Sequence, residues 1–392
     1  MGERPRKLLL VINELSRDGG AEAQLAHLAK GLADLGHTVT ICCIDTAYVD
    51  LHSLTKRGVE VISLGVTSRG ARARAIPRLA RLARRADVVH CTMWDSSLWG
   101  RIAAILARRP VVVADHATDR AVQVATSGAQ RGGLIALHNR LLDRFTFATV
   151  ICATSQRQLL ASEGVDPEKI VHIPNGIPVE EVVAAAAGGP AKAELGLPEG
   201  VPLAMHVGVF RPEKNQLGAV ESFPRLLERA PDAHLVFVGD GEGRAQVERR
   251  AAEIAPGRIH FLGLRDDVPA LLALADLMLL PSISDAMPMV VLEAMALGVP
   301  TVATDVGDVR EVLGEGAGVC VPAGDDDAFA AASGELLSDP GRRAAISALA
   351  KDSVRGFDSA AMTHRYAALF EATDTKVSPI VAVSEAIPEA VA

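Results

Sequence analysis

Pro281-Ser-Ile-Ser-Asp-Ala-Met-Pro-Met-Val-Val-Leu-Glu-Ala-Met-Ala-Leu-Gly-Val-Pro-Thr-Val-Ala-Thr304 is the stretch from which the rest of this 392-residue chain can be read. The apolar run before it, residues 277–280, has the length and composition of a buried strand. A polar loop carrying Asp285 follows, and a helix is expected to begin near Pro288, since proline suits the first helical turn. The next apolar run, 301–303, is a second strand. Strand, loop, helix and strand in this order make a parallel unit whose sheet is covered by helices.

The same alternation extends in both directions. Upstream, strands are expected at 203–207, 234–238 and 259–261, and downstream at 318–321. The first half repeats the pattern with strands at 7–13, 38–44, 59–64, 88–91, 111–115 and 149–153. Its first helix, 21–35, stops at Gly36. Residues 183–190 are small and end in Gly-Gly-Pro, which reads as a linker. The expected fold is therefore α/β, with two Rossmann-like domains whose parallel sheets face each other across a cleft. Domains are expected at 1–182 and 191–356. A helix at 357–372 is expected to cross back onto the first domain, and 373–392 to form a frayed tail.

Composition bounds the function. Apolar residues are 49% of the chain, enough for two cores, and the net charge of −8 argues against nucleic acid as a partner. Five cysteines at 42, 43, 91, 152 and 320 show no metal-ligand spacing and read as reduced thiols. No signal peptide or membrane span is apparent, so a cytoplasmic location is expected. Seven arginines in 69–85, with Arg78, Arg81 and Arg85 on one helical face, are foremost a solvated face. The sharper reading is peripheral contact with an anionic membrane surface or an acidic acceptor. Asp266-Asp267 and Asp325-Asp326-Asp327 precede helices and are expected to cap them, with no metal site.

Four constellations carry chemistry. Asp285 and Glu293 lie eight apart, one on the loop and one two turns into the helix, where both can accept hydrogen bonds from sugar hydroxyls. The helix start at Met287, Pro288, Met289 and Val290 offers free N–H groups and a positive end to an anion. In Val207-Gly-Val-Phe-Arg-Pro-Glu-Lys-Asn-Gln216, Gly208 ends a strand, and Arg211 and Lys214 can clamp a diphosphate. Ser16-Arg-Asp-Gly-Gly-Ala-Glu22 leads into a helix, and Gly19 and Gly20 let the backbone approach an oxyanion closely. His116 and His90 each stand at a strand end. Gly239-Asp-Gly-Glu-Gly243 mimics a dinucleotide fingerprint without its spacing, so NAD is not implied.

The 281–304 segment resembles the Glu-x7-Glu signature of the retaining glycosyltransferases of family 4, including its Leu-Glu-Ala-Met-Ala-x-Gly-x-Pro tail. The resemblance implies that Glu293 holds the nucleotide ribose and Asp285 contacts the donor sugar. Here Asp285 replaces the family's Glu and Ala286 its Gly. The family's Gly-Arg-x-x-x-x-Lys aligns Lys214 directly but puts Val209 at the Arg position, so Arg211 is expected to supply that charge. A Gly-Gly-Ala-Glu loop facing the donor phosphates, a His near the reacting centre and a Gly-Asp-Gly turn by the nucleotide correspond to Gly20, His116 and Gly239. Gly19, Glu22 and His90 are expected on the acceptor side. The implied activity is metal-free, cofactor-free transfer of a hexose-type sugar from a nucleotide-sugar, a UDP-sugar foremost, with retention. The acceptor is a small molecule, glycan or lipid. A sugar-nucleotide 2-epimerase and a non-catalytic nucleotide-sugar-binding subunit are the alternatives.

Overall fold

The computed structural model describes residues 4–16, 19–47, 51–116, 129–375 and 377–386. They form two compact units, Met1–Gly176 with Ser359–Ala392, and Ile177–Asp358. The first holds a seven-stranded sheet of β1 (Lys7–Ile12), β2 (Thr38–Cys43), β3 (Glu60–Ser63), β4 (Val88–Thr92), β5 (Val111–Asp115), β6 (Ala148–Ile151) and β7 (Ile170–His172). The second holds β8 (Leu203–Val207), β9 (His234–Val238), β10 (Ile259–Phe261), β11 (Leu277–Leu280), β12 (Thr301–Thr304) and β13 (Val319–Val321). The strand orders are β3-β2-β1-β4-β5-β6-β7 and β10-β9-β8-β11-β12-β13. Every pairing is parallel. Chain direction across each sheet reverses once, between β1 and β4 and between β8 and β11. Such switch points are where open parallel sheets bind ligands, beyond the carboxyl ends of the strands.

Period-2 side-chain alternation explains why β1 is apolar throughout. Leu8, Leu10 and Ile12 share one core cluster with Leu25, Leu28 and Leu32 of the helix Gly20–Asp34. Leu9 and Val11 point to the other face, into a cluster with Leu79, Ala83 and Ala104. Each such side chain fully buried contributes roughly 1.5–3 kcal/mol. Few aromatics are needed because small residues let helices lie close to the sheet.

The helix Ser359–Ala372 closes the first unit. Met362, Tyr366, Leu369 and Phe370 join the Leu8 cluster, and Arg6 donates to the Phe370 carbonyl at 2.9 Å. That cation sits at the helix's carboxyl end, where the backbone dipole favours it. The helices 20–34 and 359–372 meet at Gly31, where a Cβ would lie 2.3 Å from Thr363 Oγ1. Gly31→Val is expected to cost about 1–3 kcal/mol by overpacking. Thermal melts check this, with Thr363→Ala in the same chain recovering part of the loss.

The structure corrects three expectations. Residues 183–190 are not a linker throughout: the helix Val179–Ala186 takes in their first half, with Val182 buried. It packs in the second unit against Val268–Leu272 and Met289–Leu297, so the break falls after Gly176. Alanines read as featureless, yet alanine is the strongest helix former. In the 373–392 tail, Pro379–Glu385 is helical with Val383 buried against the first unit; residues 376 and 387–392 lie outside the described residues. Within 69–85, Arg72 is 5% exposed and ion-paired with Asp95, which removes it from any surface patch. Arg74, Arg78, Arg81, Arg84 and Arg85 are exposed. Asp325 caps its helix by accepting from the Ala328 N–H. Asp267 stands at a helix start too, but its carboxylate pairs with Arg265. No described helix is long and apolar enough to cross a membrane.

Candidate functional site

In the second unit the chain leaves β8 through a loop held against the turn after β9. The Gly208 N–H donates to the Val238 carbonyl at 3.0 Å, and the Phe210 N–H to the Asp240 carbonyl at 2.9 Å. Gly239 has φ 132°, and a Cβ there would lie 2.2 Å from the Gly208 oxygen. Glycine at 239 thus allows two backbones to touch at the carboxyl edge of the sheet.

A short 3-10 turn, Pro212–Lys214, follows. It delivers Lys214, whose Nζ lies 2.5 Å from Asp285 Oδ2. The two loops are also joined by the Ile283 N–H donating to the Glu213 carbonyl at 2.8 Å. The side chains of Lys214 and Asp285 are 25% and 12% exposed, so the pair is mostly shielded from water. Arg211 is brought to neither: it is exposed and its side chain has no partner among the described residues.

The Asp285 loop is braced from the far side. Thr304 Oγ1 lies 2.5 Å from the Ser282 carbonyl, and the Asp308 N–H donates to the Ala286 carbonyl at 2.9 Å. Gly307, at φ 55°, leaves room for the Asp285 and Ala286 carbonyls, which a Cβ would meet at 2.2 Å. The helix Met289–Leu297 then starts with Pro288 as its N-cap and no side-chain cap. The side chains of Met287 and Met289 are buried and Val290 is half-buried. What this segment offers a ligand is therefore backbone. The N–H groups of Met289 and Val290 have no partner among the described residues, as expected for a first helical turn. One turn on, Glu293 is half-buried with no partner among the described residues. Burial pushes its carboxyl up to about 7.

In the first unit, Gly19 is the N-cap of the helix that opens with Gly20. Glu22 is 9% exposed and folds back, so that a Cβ on Gly19 would lie 1.9 Å from its Oε2. This is the place of a capping-box glutamate, which turns Glu22 toward its own helix start. Arg17 and Asp18 lie outside the described residues. His90 is 2% exposed, at the edge of Tyr366 with ring centroids 5.4 Å apart, and Thr92 Oγ1 lies 3.1 Å from its Nε2. The structure thus places it in the core and not at an open strand end; burial, then His116, lower it to about 3. His116 follows β5, half-buried, lowered by burial to about 4 and therefore neutral at physiological pH. Gln156 fixes the peptide before it: Nε2 donates to the Asp115 carbonyl at 3.0 Å while Oε1 accepts from Cys152 and Ala153.

Sequence reading missed His206 and Gly307, which belong to no motif, and gave no role to Gln216 and Thr304, which end the two quoted stretches. It also missed Met93, which at φ 72° and ψ 166° occupies a region costly to any side chain, at the carboxyl end of β4.

Two parallel α/β units, with a Gly-Gly helix start in the first and a cation–carboxylate pair beside an open helix start in the second, define the GT-B class. The chain belongs to the glycosyl transferases of group 1: residues 190–353 match that family, and 19–176 match the glycosyl transferase 4-like domain. It is 27% identical over 364 residues to the phosphatidyl-myo-inositol mannosyltransferase of Mycolicibacterium smegmatis, covering 90% of each chain. It is 30% identical over 254 residues to the UDP-Gal:alpha-D-GlcNAc-diphosphoundecaprenol alpha-1,3-galactosyltransferase of Escherichia coli, covering 62% of this chain and 64% of that one. Among solved structures, Anabaena HepE in complex with UDP-glucose superposes with a TM-score of 0.78 at 21% identity, over 95% of this chain and 100% of that one.

Proposed function

We propose that the protein transfers a hexose from a UDP-sugar to an acceptor hydroxyl with retention of configuration and without a metal ion or other cofactor. The observation that carries this reading is the Lys214–Asp285 pair at the start of the helix that carries Glu293, where Glu293 and the N–H groups of Met289 and Val290 have no partner among the described residues. Glu293 would accept from the ribose hydroxyls. Lys214 and the helix-start N–H groups would take the diphosphate, and Asp285, released from Lys214, the sugar hydroxyls. The bond from the anomeric carbon to the diphosphate oxygen breaks as the acceptor oxygen bonds on the same face. The acceptor proton passes to the departing diphosphate, whose charge Lys214 and the N–H groups of Met289 and Val290 stabilise. In the first unit, His116, Gly19 and Glu22 are proposed as residues that act on the acceptor, and His90, buried against Tyr366, is not among them.

The two relatives' names print phosphatidyl-inositol and diphosphoundecaprenol acceptors, which favours an acceptor carried on a lipid. A cytoplasmic protein touching an anionic membrane through exposed Arg74, Arg78, Arg81, Arg84 and Arg85 fits that acceptor.

The test is a thermal-shift screen of UDP, GDP, ADP and dTDP and their sugars. A nucleotide at one hundred times its Kd stabilises by about 2.7 kcal/mol, a shift of several degrees. UDP and one UDP-hexose are expected to stand out, unchanged by EDTA. A panel in which nothing shifts the melt removes the transferase reading.

A further inference from the structure

The end of β8 carries a side-chain relay. His206 is 1% exposed, with Nδ1 3.0 Å from the Leu279 carbonyl of β11 and Nε2 3.3 Å from Gln216 Nε2. A carbonyl only accepts, so Nδ1 carries the ring proton. Burial lowers the imidazole to about 4 and keeps it neutral, leaving Nε2 a lone pair. Gln216 has two amide protons: one points to that lone pair, the other to the Val209 carbonyl at 2.8 Å. Every donor from Leu279 to Val209 is thereby matched to an acceptor. The relay spans β8 and β11, the neighbours at the switch point.

Its outcome is the orientation of the two peptide groups that flank Val209. The Gly208 and Phe210 N–H groups are held by Val238 and Asp240, and the Val209 carbonyl by Gln216. The Val209 N–H is left with no partner among the described residues, its direction set by its neighbours. We infer that Gln216, held by His206, is a positioning residue for the donor diphosphate: it turns the Val209 carbonyl inward and aims the Val209 N–H at a phosphate oxygen. This rests on the donor-site reading above. A backbone donor at 209 then acts where Val209 itself supplies no charge. Gln216 touches neither nucleotide nor sugar and works through the loop.

The test uses Gln216→Leu, which keeps the volume and removes both donors, and His206→Phe, which removes the anchor. If Gln216→Leu does not fold, Gln216→Met takes its place. Amide hydrogen exchange in the ligand-free protein is expected to rise at least about tenfold at Gly208 and Phe210, whose N–H groups are bonded to the Val238 and Asp240 carbonyls, with β12 unchanged. Calorimetry is expected to show UDP affinity falling about tenfold and UMP affinity less than threefold, with His206→Phe smaller in the same direction. Unchanged exchange at Phe210 overturns the proposal whether or not a nucleotide binds. Equal losses for UDP and UMP overturn it as well, since a merely loosened unit would give them. Faster exchange in a protein whose wild type binds no nucleoside diphosphate supports the relay and overturns the donor reading.

Discussion

Glu293→Gln is expected to melt several degrees above the wild type at pH 8 while binding UDP at least tenfold more weakly. The folded protein holds this carboxyl at about 7 against an ordinary 4.5. Between those values the native state binds a proton that the unfolded chain has released, so stability falls as pH rises. The wild type's stability from this group is fully present below 4.5 and is lost as pH rises to about 7. The full difference corresponds to about 3 kcal/mol, and roughly 1–2 once water at the carboxyl's open edge is allowed for. At 2–4 °C per kcal/mol for a unit of this size, the variant's gain is readable by calorimetry. It should nearly vanish below pH 4.5. Binding runs the opposite way, because the ionised carboxylate is the better acceptor of ribose hydroxyls, each charged hydrogen bond contributing about 1.5–3 kcal/mol. Wild-type UDP affinity should therefore rise with pH up to about 7, and that of the variant should not. A variant no more stable at pH 8 would show that Glu293 is not held at a cost.

Lys214→Ala is expected to lower stability and to abolish measurable transfer, for separable reasons. Removing the ammonium leaves Asp285, 12% exposed, without its ion-pair partner. Full burial would make that loss 3–5 kcal/mol; the partial exposure here brings it to about 2. Adding Asp285→Asn should restore most of the stability by removing the stranded charge. It should not restore UDP binding, because the diphosphate still lacks its cation. A double-mutant cycle reading both melting and UDP affinity checks this. Turnover unchanged in Lys214→Ala would remove the lysine from the diphosphate site.

Much of the architecture was legible because burial on both faces forces parallel strands to be apolar runs. The strands at 111–115, 203–207, 234–238, 259–261 and 277–280 coincide with those observed. The edge strand β7, Ile170–His172, was not among those expected. The helix Val179–Ala186 was lost because it ends in three alanines, which carry propensity without a visible face, shortly before Gly-Gly-Pro. At the site, Lys214, Asp285 and Glu293 were legible as charges at fixed spacing. That Lys214 and Asp285 are bound to each other was not, since 71 residues separate them. Arg211 was expected to join them and points into solvent, because its loop is set by backbone bonds that no side-chain pattern reports. The burial of His90 beneath Tyr366 and Phe370 depends on the helix Ser359–Ala372, more than 260 residues downstream.

The helix Ser359–Ala372 also bears on how the chain is made. The first unit borrows Ser359–Ala372 from the far end of the chain, whereas the second is continuous from Ile177 to Asp358. During synthesis the second unit can be complete while the first still lacks the helix that covers Leu8, Leu10 and Phe370's neighbours on β1. Its apolar face stays uncovered until the final residues emerge, and a chaperone's attention would fall on the part of the protein made first.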